Sequence, residues 1–485
     1  MASDSLRLLL VCEGYLPDYA LGSTLYAHAL ATGLARRHQV EVLARGAEPS
    51  AGQPLTREER DGIPILRLHA RTPGFPDRFG LEYRDPEVER RFESLLAEGR
   101  YDLVHFLHTL NLSAGLIPAA RRAGAAAVAM LHDYWYLCHR IVLLDYRDAR
   151  CPAPRYANGA RCLFCAFHRR KQLAFGAGSS EPWTTRAALA LLAPAARPLP
   201  TLLSPLARIA RRRQRGPAPP ALAAGTRAAI DALLYRPRWM RDALLAAQRW
   251  IAFSPHVVEH YQRLELPLDR FRVLPPGLLP PSDSHPRSRG AAPPSGPPWI
   301  LGYAGGLLPA KGLALLVEAA RNLIRDPALA GRFRIELHGG PLDSDFAAWL
   351  RGQIAALPIE LFGPFSSAAR EPIFGRFHLL VLPSQSEETY SFAVREAQSF
   401  GVPALVSDLP AQNRAIEPGR TGWTFRPGDA LDLARALSRL LSAPGPIERA
   451  RQLLLRQAPP PPFNEHVEAV EAVFREAIDE QRQGS

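Results

Sequence analysis

LLVLPSQSEETYSFAVREAQSFG, residues 379–401, is the stretch on which the reading of this chain turns. It opens with Leu379-Leu380-Val381-Leu382, an unbroken apolar run of the length expected for a parallel strand buried on both faces. Pro383 and Ser384 end the strand, and residues 385–388 form a polar turn. An amphipathic segment from about Ser391 to Phe400 reads as a helix stopped by Gly401 and Pro403. A strand, a short turn and a helix N-terminus in that order favour a phosphate. Unpaired backbone N–H groups and the helix dipole face the strand's carboxyl end.

Glu388 and Glu396 have seven residues between them. That spacing directs Glu388 from the loop and Glu396 from the first or second helical turn toward one crevice. Carboxylates repel phosphate, so their natural partners are the hydroxyls of a ribose and a sugar. The stretch resembles the E-x7-E segment of the retaining glycosyltransferases of the GT-B fold, family four. The likeness continues through PSQSEETYSFAVREAQSFGVPALVSDLPAQNRAIEPGRTGWTFRPGD, residues 383–429. It covers roughly residues 5–140 and 245–445 and is silent over 165–240. The resemblance implies an α/β architecture of two Rossmann-like domains, their parallel sheets facing across a cleft. It also implies transfer of a sugar from a nucleoside diphosphate to a hydroxyl with retained anomeric configuration. In that family the first Glu approaches the transferred sugar and the second holds the ribose, which here makes Glu388 catalytic and Glu396 donor-binding. Tyr390, Ser391 and Phe392 then flank the donor at the helix start.

The 485 residues suffice for two large domains, and an apolar content near half gives each a sizeable core. A net charge of +12 suits anionic partners, but the abundance of Arg, Ala and Pro accounts for much of it. No signal peptide is evident, and no apolar run approaches the roughly 18 residues a spanning helix needs. The expected location is cytoplasmic, with peripheral contact to a membrane left open.

Residues 6–11 form a first strand, Gly22-Ser23 a small-residue turn that opens a helix over 25–37, and residues 39–43 a second strand. Such a βαβ start is Rossmann-like and places Gly22 and Ser23 to admit a donor to the backbone. The family has two glycines there, and a plain helix cap explains Ser23 equally well. Residues 126–133 form a strand ending in His132-Asp133. A His at the carboxyl end of a parallel strand sits where sites form. The family's own strand end of this kind implies that His132 faces the donor sugar as a catalytic residue.

Of five cysteines, four lie close together: Cys138, Cys151, Cys162 and Cys165. In a reducing compartment their grouping points to a structural zinc rather than disulfides. Reduced thiols in a loop are the alternative. Residues 169–240 are broken by prolines, among them Pro194, Pro198, Pro200 and Pro205, and carry the basic run of residues 208–215. They read as an inserted helical or solvated basic segment. The arginines do not alternate with aromatic residues, which argues against nucleic acid.

The regular pattern resumes with a strand over 249–255, a helix over 256–263 and a strand over 271–274. The domains are therefore 1–275, a linker at 276–298, 299–460, and a helix in 461–485 that the resemblance returns to the first domain. Residues 299–307 run from a strand into Gly305-Gly306, with Lys311 close behind. The glycines admit a diphosphate and Lys311 supplies charge. The family has an Arg where this chain has Gly306, so one expected cation is missing. The resemblance implies that catalysis needs no metal cofactor, and that the partners are a nucleotide-sugar donor and a glycan or lipid-linked acceptor in cell-surface glycan synthesis. Two other readings stay open: a catalytically weakened relative acting as a binding protein, and a nucleotide-sugar epimerase.

Overall fold

The computed structural model describes residues 5–17, 22–46, 54–70, 78–145, 149–151, 162, 165, 226–279, 293, 296–457 and 460–484. The Pro-rich and Arg-rich stretch at 169–225 and most of the linker at 276–298 lie outside them. The chain divides into two compact units: one runs up to Pro275 and includes Asn464–Ser485, and the other spans Pro276–Phe463. Each has its own apolar core.

In the first unit the elements are β1 (Arg7–Cys12), α1 (Gly22–Ala35), β2 (Gln39–Gly46), β3 (Leu55–Arg60), β4 (Ile63–His69), α2 (Arg78–Leu81), α3 (Pro86–Gly99) and β5 (Leu103–Phe106). They continue with α4 (Leu116–Arg122), β6 (Ala126–Leu131), α5 (Thr226–Leu245), β7 (Arg249–Ala252), α6 (Pro255–Tyr261) and β8 (Phe271–Val273). The strand order is β3-β4-β2-β1-β5-β6-β7-β8, and every pairing but β3–β4 is parallel. Strands such as β6, buried at all six positions, are covered on both faces by helices, as a parallel sheet requires. The order reverses between β1 and β5, so the crevice where ligands bind in open α/β sheets lies beyond their carboxyl ends.

The second unit contains β9 (Trp299–Ala304), α7 (Leu313–Leu323), β10 (Phe333–His338), α8 (Asp345–Ile354), β11 (Ile359–Leu361), α9 (Arg370–Phe374) and β12 (Leu379–Leu382). It ends with α10 (Phe392–Ser399), β13 (Ala404–Ser407), α11 (Pro410–Asn413), β14 (Gly422–Phe425), α12 (Ala430–Ser442) and α13 (Gly445–Arg456). Its sheet is wholly parallel, in the order β11-β10-β9-β12-β13-β14, with the reversal between β9 and β12. The apolar run 379–382 is thus a central strand, fully buried.

Several elements differ from the sequence reading. Residues 419–429 contain an edge strand, β14, rather than only a turn; its four residues between glycines are too short to show a period. The helix α13 goes unread because Gly445-Pro446 looks like a stop, whereas proline is tolerated in a helix's first turn. The strand β5 ends at Phe106, which leaves His108 in the loop beyond.

The last helix, α14 (Phe463–Gln483), belongs from Asn464 onward to the first unit. His466 Nε2 lies 2.8 Å from the Tyr26 hydroxyl, and Phe474 packs on the His105 ring with centroids 4.9 Å apart. Arg272 donates to Glu476 at 2.6 Å and Gln248 to Gln481 at 2.9 Å. Among the described residues no helix is long and apolar enough to cross a membrane.

Candidate active site

In the second unit the loops after β9 and β12 meet. The amides of Gln385 and Ser386 donate to the Ala310 carbonyl at 2.8 and 3.4 Å, which ties the β12 loop to the short turn carrying Lys311. That approach needs a glycine. Gly312 has φ +74°, and a Cβ there would lie 1.8 Å from the Pro383 carbonyl oxygen. Gly339 plays the same part beside the end of β9, where a Cβ would fall 1.7 Å from the Gly305 oxygen.

The result is an ion pair across the two loops. Lys311 Nζ donates to Glu388 Oε1 at 2.7 Å. Ser384 donates to the same oxygen at 3.0 Å and Ser391 to Oε2 at 2.7 Å. Burial opposes ionisation of Glu388, but Lys311 and then the hydrogen bonds from Ser391 and Ser384 outweigh it and hold the carboxyl below its usual range. Ser391 is the N-cap residue of α10 in left-handed backbone (φ 59°), and its hydroxyl does not cap the helix. The side chain that usually satisfies a helix's first amides is therefore given to Glu388 instead.

Glu396, on α10, forms an ion pair with Arg370, Oε1 to Nε 3.1 Å, and Arg370 donates to the Leu279 carbonyl at 3.2 Å. Tyr390 is buried: the Gly277 amide bonds its hydroxyl, the Arg395 guanidinium lies 4.4 Å from its ring centroid, and Phe392 meets it edge-on at 4.9 Å. Gly305 takes a glycine-favouring backbone (φ +158°), whereas a Cβ at Gly306 would make only ordinary contacts, 3.5 Å from Leu308. The missing Arg at that position is therefore a choice of sequence, with no steric cause.

In the first unit, a polar cluster occupies the crevice beyond β1, β5 and β6. His108 Nε2 donates to Asp133 Oδ2 at 2.8 Å, the Leu110 amide approaches His108 Nδ1 at 2.9 Å, and Glu13 stands 3.7 Å from that nitrogen. Burial works against a charged His108, but Asp133 and Glu13 prevail and push it up to about 9. Burial would raise Asp133, yet His108 brings it down to about 2. His132 lies 3.9 Å from Asp133 Oδ2 and bonds the Leu107 carbonyl; burial lowers its pKa and keeps it neutral near pH 7. Among the described residues, His108, His132 and Asp133 are the group whose ligand atoms all fall within 4.8 Å of one another. Gly22 begins α1 with nothing within 4 Å of a Cβ, and Ser23 follows it half-buried.

Of the residues the sequence singled out, the structure brings Lys311 and Glu388 together, and it adds neighbours the sequence reading did not name: Ser384 beside Glu388, Arg370 beside Glu396, and His108 and Glu13 in the cluster with Asp133 and His132. The signal that marks His132, an imidazole just past a buried strand, was present for His108 too. Arg370 carries no local signal, since its partner lies on a different helix.

All five cysteines are thiols, none of them in a disulfide. Cys138 is buried, and Cys151, Cys162 and Cys165 are half-buried. No three of the four clustered sulfurs come within 4.8 Å of one another.

Residues 298–443 match the family model of glycosyl transferases group 1, and residues 22–170 match that of the glycosyl transferase 4-like domain. Together these matches cover more than half of the chain. A D-inositol 3-phosphate glycosyltransferase of Stackebrandtia nassauensis is 30% identical over 185 residues, 36% of this chain and 41% of that protein. The chain therefore spans about two fifths of that relative's length. Among solved structures, a sucrose-phosphate synthase from Thermosynechococcus elongatus has a TM-score of 0.56 at 16% identity, covering 99% of this chain and 98% of its own. HepE of Anabaena, in complex with UDP and glucose, has a TM-score of 0.54 at 13% identity, with 97% and 100% covered. At such identities these two structures speak to the fold alone.

Proposed function

Because the chain belongs to the group 1 glycosyl transferases, we propose that it moves a sugar from a nucleoside-diphosphate sugar to a hydroxyl acceptor with retention. The observation that carries this reading is the Lys311–Glu388 pair beside the N-terminus of α10, where the second unit's strand order reverses. A diphosphate is drawn there by the positive end of the α10 dipole and by the Lys311 ammonium, which screens it from Glu388. Glu396, paired with Arg370, is the carboxylate that the resemblance turns toward the ribose hydroxyls. HepE is in complex with UDP in one structure and with UDP-glucose in another, which makes UDP the first donor to try.

In the proposed reaction the bond from the sugar's anomeric carbon to the diphosphate oxygen breaks. A bond to the acceptor oxygen forms on the same face, and the acceptor's proton leaves with the diphosphate. Lys311 and the α10 amides meet the charge developing on the leaving oxygen, and Glu388 faces the cationic sugar. The resemblance has His132 face the donor sugar, which its neutral imidazole suits. None of these parts calls for a metal. A glycan or lipid-linked acceptor in cell-surface glycan synthesis fits the family.

One observation favours a second reading, a relative that binds donor without turning it over: Gly306 supplies no cation, and Lys311 is engaged by Glu388. An experiment separates the two. The protein is titrated with UDP, GDP, TDP and ADP, alone and as sugar conjugates, and thermal shift is read together with diphosphate release. One nucleotide is expected to stabilise it selectively, by about 2.7 kcal/mol at a hundredfold excess over Kd, and Glu396→Gln to abolish the effect. Stabilisation without release means a binder, and altered donor stereochemistry without transfer means an epimerase. No stabilisation by any nucleotide overturns the donor site.

A further inference from the structure

We infer that Cys138, Cys151, Cys162 and Cys165 form a tetrathiolate site for a zinc-class divalent cation that staples the chain between β6 and α5. The turn after β6 prepares the first ligand. The Cys138 amide donates to the Tyr134 carbonyl at 2.7 Å, and the Ile141 amide to the Cys138 carbonyl at 2.8 Å. This winding aims the amides of Arg140 and Leu143 at the Cys138 sulfur.

The second ligand arrives by a return of the chain. Leu144 and Arg150 form an antiparallel bridge, and the Cys151 amide donates to the Leu143 carbonyl at 2.7 Å. Cys151 therefore sits against the turn that presents Cys138. Cys162 and Cys165 are both helical, three residues apart and hence on one face. Cys138, Cys165 and Cys151 all lie close enough to act on the charge of Cys162.

Arg236 is the second, independent observation. It is 5% exposed, lies over the Trp135 ring and donates to the Trp135 carbonyl. Among the described residues no carboxylate comes within ion-pair distance of it; its electrostatic neighbours include Cys138, Cys162 and Glu82. A buried guanidinium facing neutral thiols is costly. Four thiolates around a divalent cation carry two negative charges, and Arg236 offsets one of them.

Four protein ligands leave no open position, so the role is structural. Zn–S bonds of about 2.3 Å place all four sulfurs about 3.8 Å apart; no three of them stand within 4.8 Å of one another here, so loading draws the ligands together.

The test uses the full chain, purified under reducing conditions without chelator in zinc-supplemented medium. Bound metal is quantified, and zinc release by a mercurial thiol reagent is followed. About one zinc per chain is expected, released as thiols react, and cobalt exchange should give the charge-transfer and visible bands of tetrahedral thiolate ligation. Cys151→Ser and Cys162→Ser should lose the metal, while Cys12→Ser, in β1, retains it. Since those variants can misfold, the wild-type measurement decides. Substoichiometric metal, or a Cys162–Cys165 disulfide after rapid trapping of thiols, overturns the site.

Discussion

Glu388 has four partners to satisfy with two oxygens: Lys311, Ser384, Ser391 and, in the proposed reaction, the sugar. Replacing it by Gln keeps the shape and two of the hydroxyl contacts but removes the charge. Glu388→Gln should therefore lower turnover roughly a hundredfold or more and leave the melting temperature within a few degrees of the parent. Unaltered turnover would remove Glu388 from the catalytic group. The acid was visible in the sequence because it follows a buried strand and precedes a helix. Its pairing with Lys311 was not, because that contact joins two loops far apart in the chain. Arg370 stayed hidden for the same reason, and the left-handed backbone of Ser391 has no mark in a sequence where any polar residue could begin the helix.

At the scale of elements, the site depends on two loops pressed together through Gly312. Gly312→Ala places a methyl 1.8 Å from the Pro383 oxygen in a backbone that L residues rarely adopt. The turn must shift, and the expected result is loss of the Lys311–Glu388 pair, of donor binding and of about 2 kcal/mol or more of stability. Gly352→Ala, in α8 with nothing within 4 Å of a Cβ, is the control and should bind donor as the parent does. Equal behaviour of the two variants would mean the loop contact does not build the site. Strands and helices were legible where apolar runs were long or periodic, as in β6, β12 and α7. They were illegible where four residues between glycines made a strand, as in β14, or where a proline in a helix's first turn passed for a stop, as in α13.

On the scale of the whole molecule, buried histidines tie stability to pH. Burial brings His466 from 6.5 to about 4, and His105 to about 3. Unfolded, both take up protons near pH 6.5; folded, they stay neutral, so stability falls as the pH drops from 6.5 toward 4. For His466 the effect is on the order of 3 kcal/mol. His108 has the opposite sign: raised to about 9, it stabilises fully below 6.5 and its contribution is lost as the pH climbs through 9. The melting temperature should thus peak near neutrality, and His466→Gln, which can still meet the Tyr26 hydroxyl, should flatten the acid limb. An unchanged acid limb would show that His466 is not what titrates. The central strands of both sheets could be read from apolar runs, but the histidines that link pH to folding could not, since burial against a helix hundreds of residues away leaves no local trace.

The place of α14 also sets an order of assembly. Among the described residues the second unit lies between Pro276 and Phe463, whereas the first takes its final helix from residues 464–483. During synthesis the first sheet emerges early yet waits, with Tyr26 and His105 uncovered, until that helix has left the ribosome. The unit begun first is the one completed last, and in the interval its apolar face is exposed to chaperones and proteases.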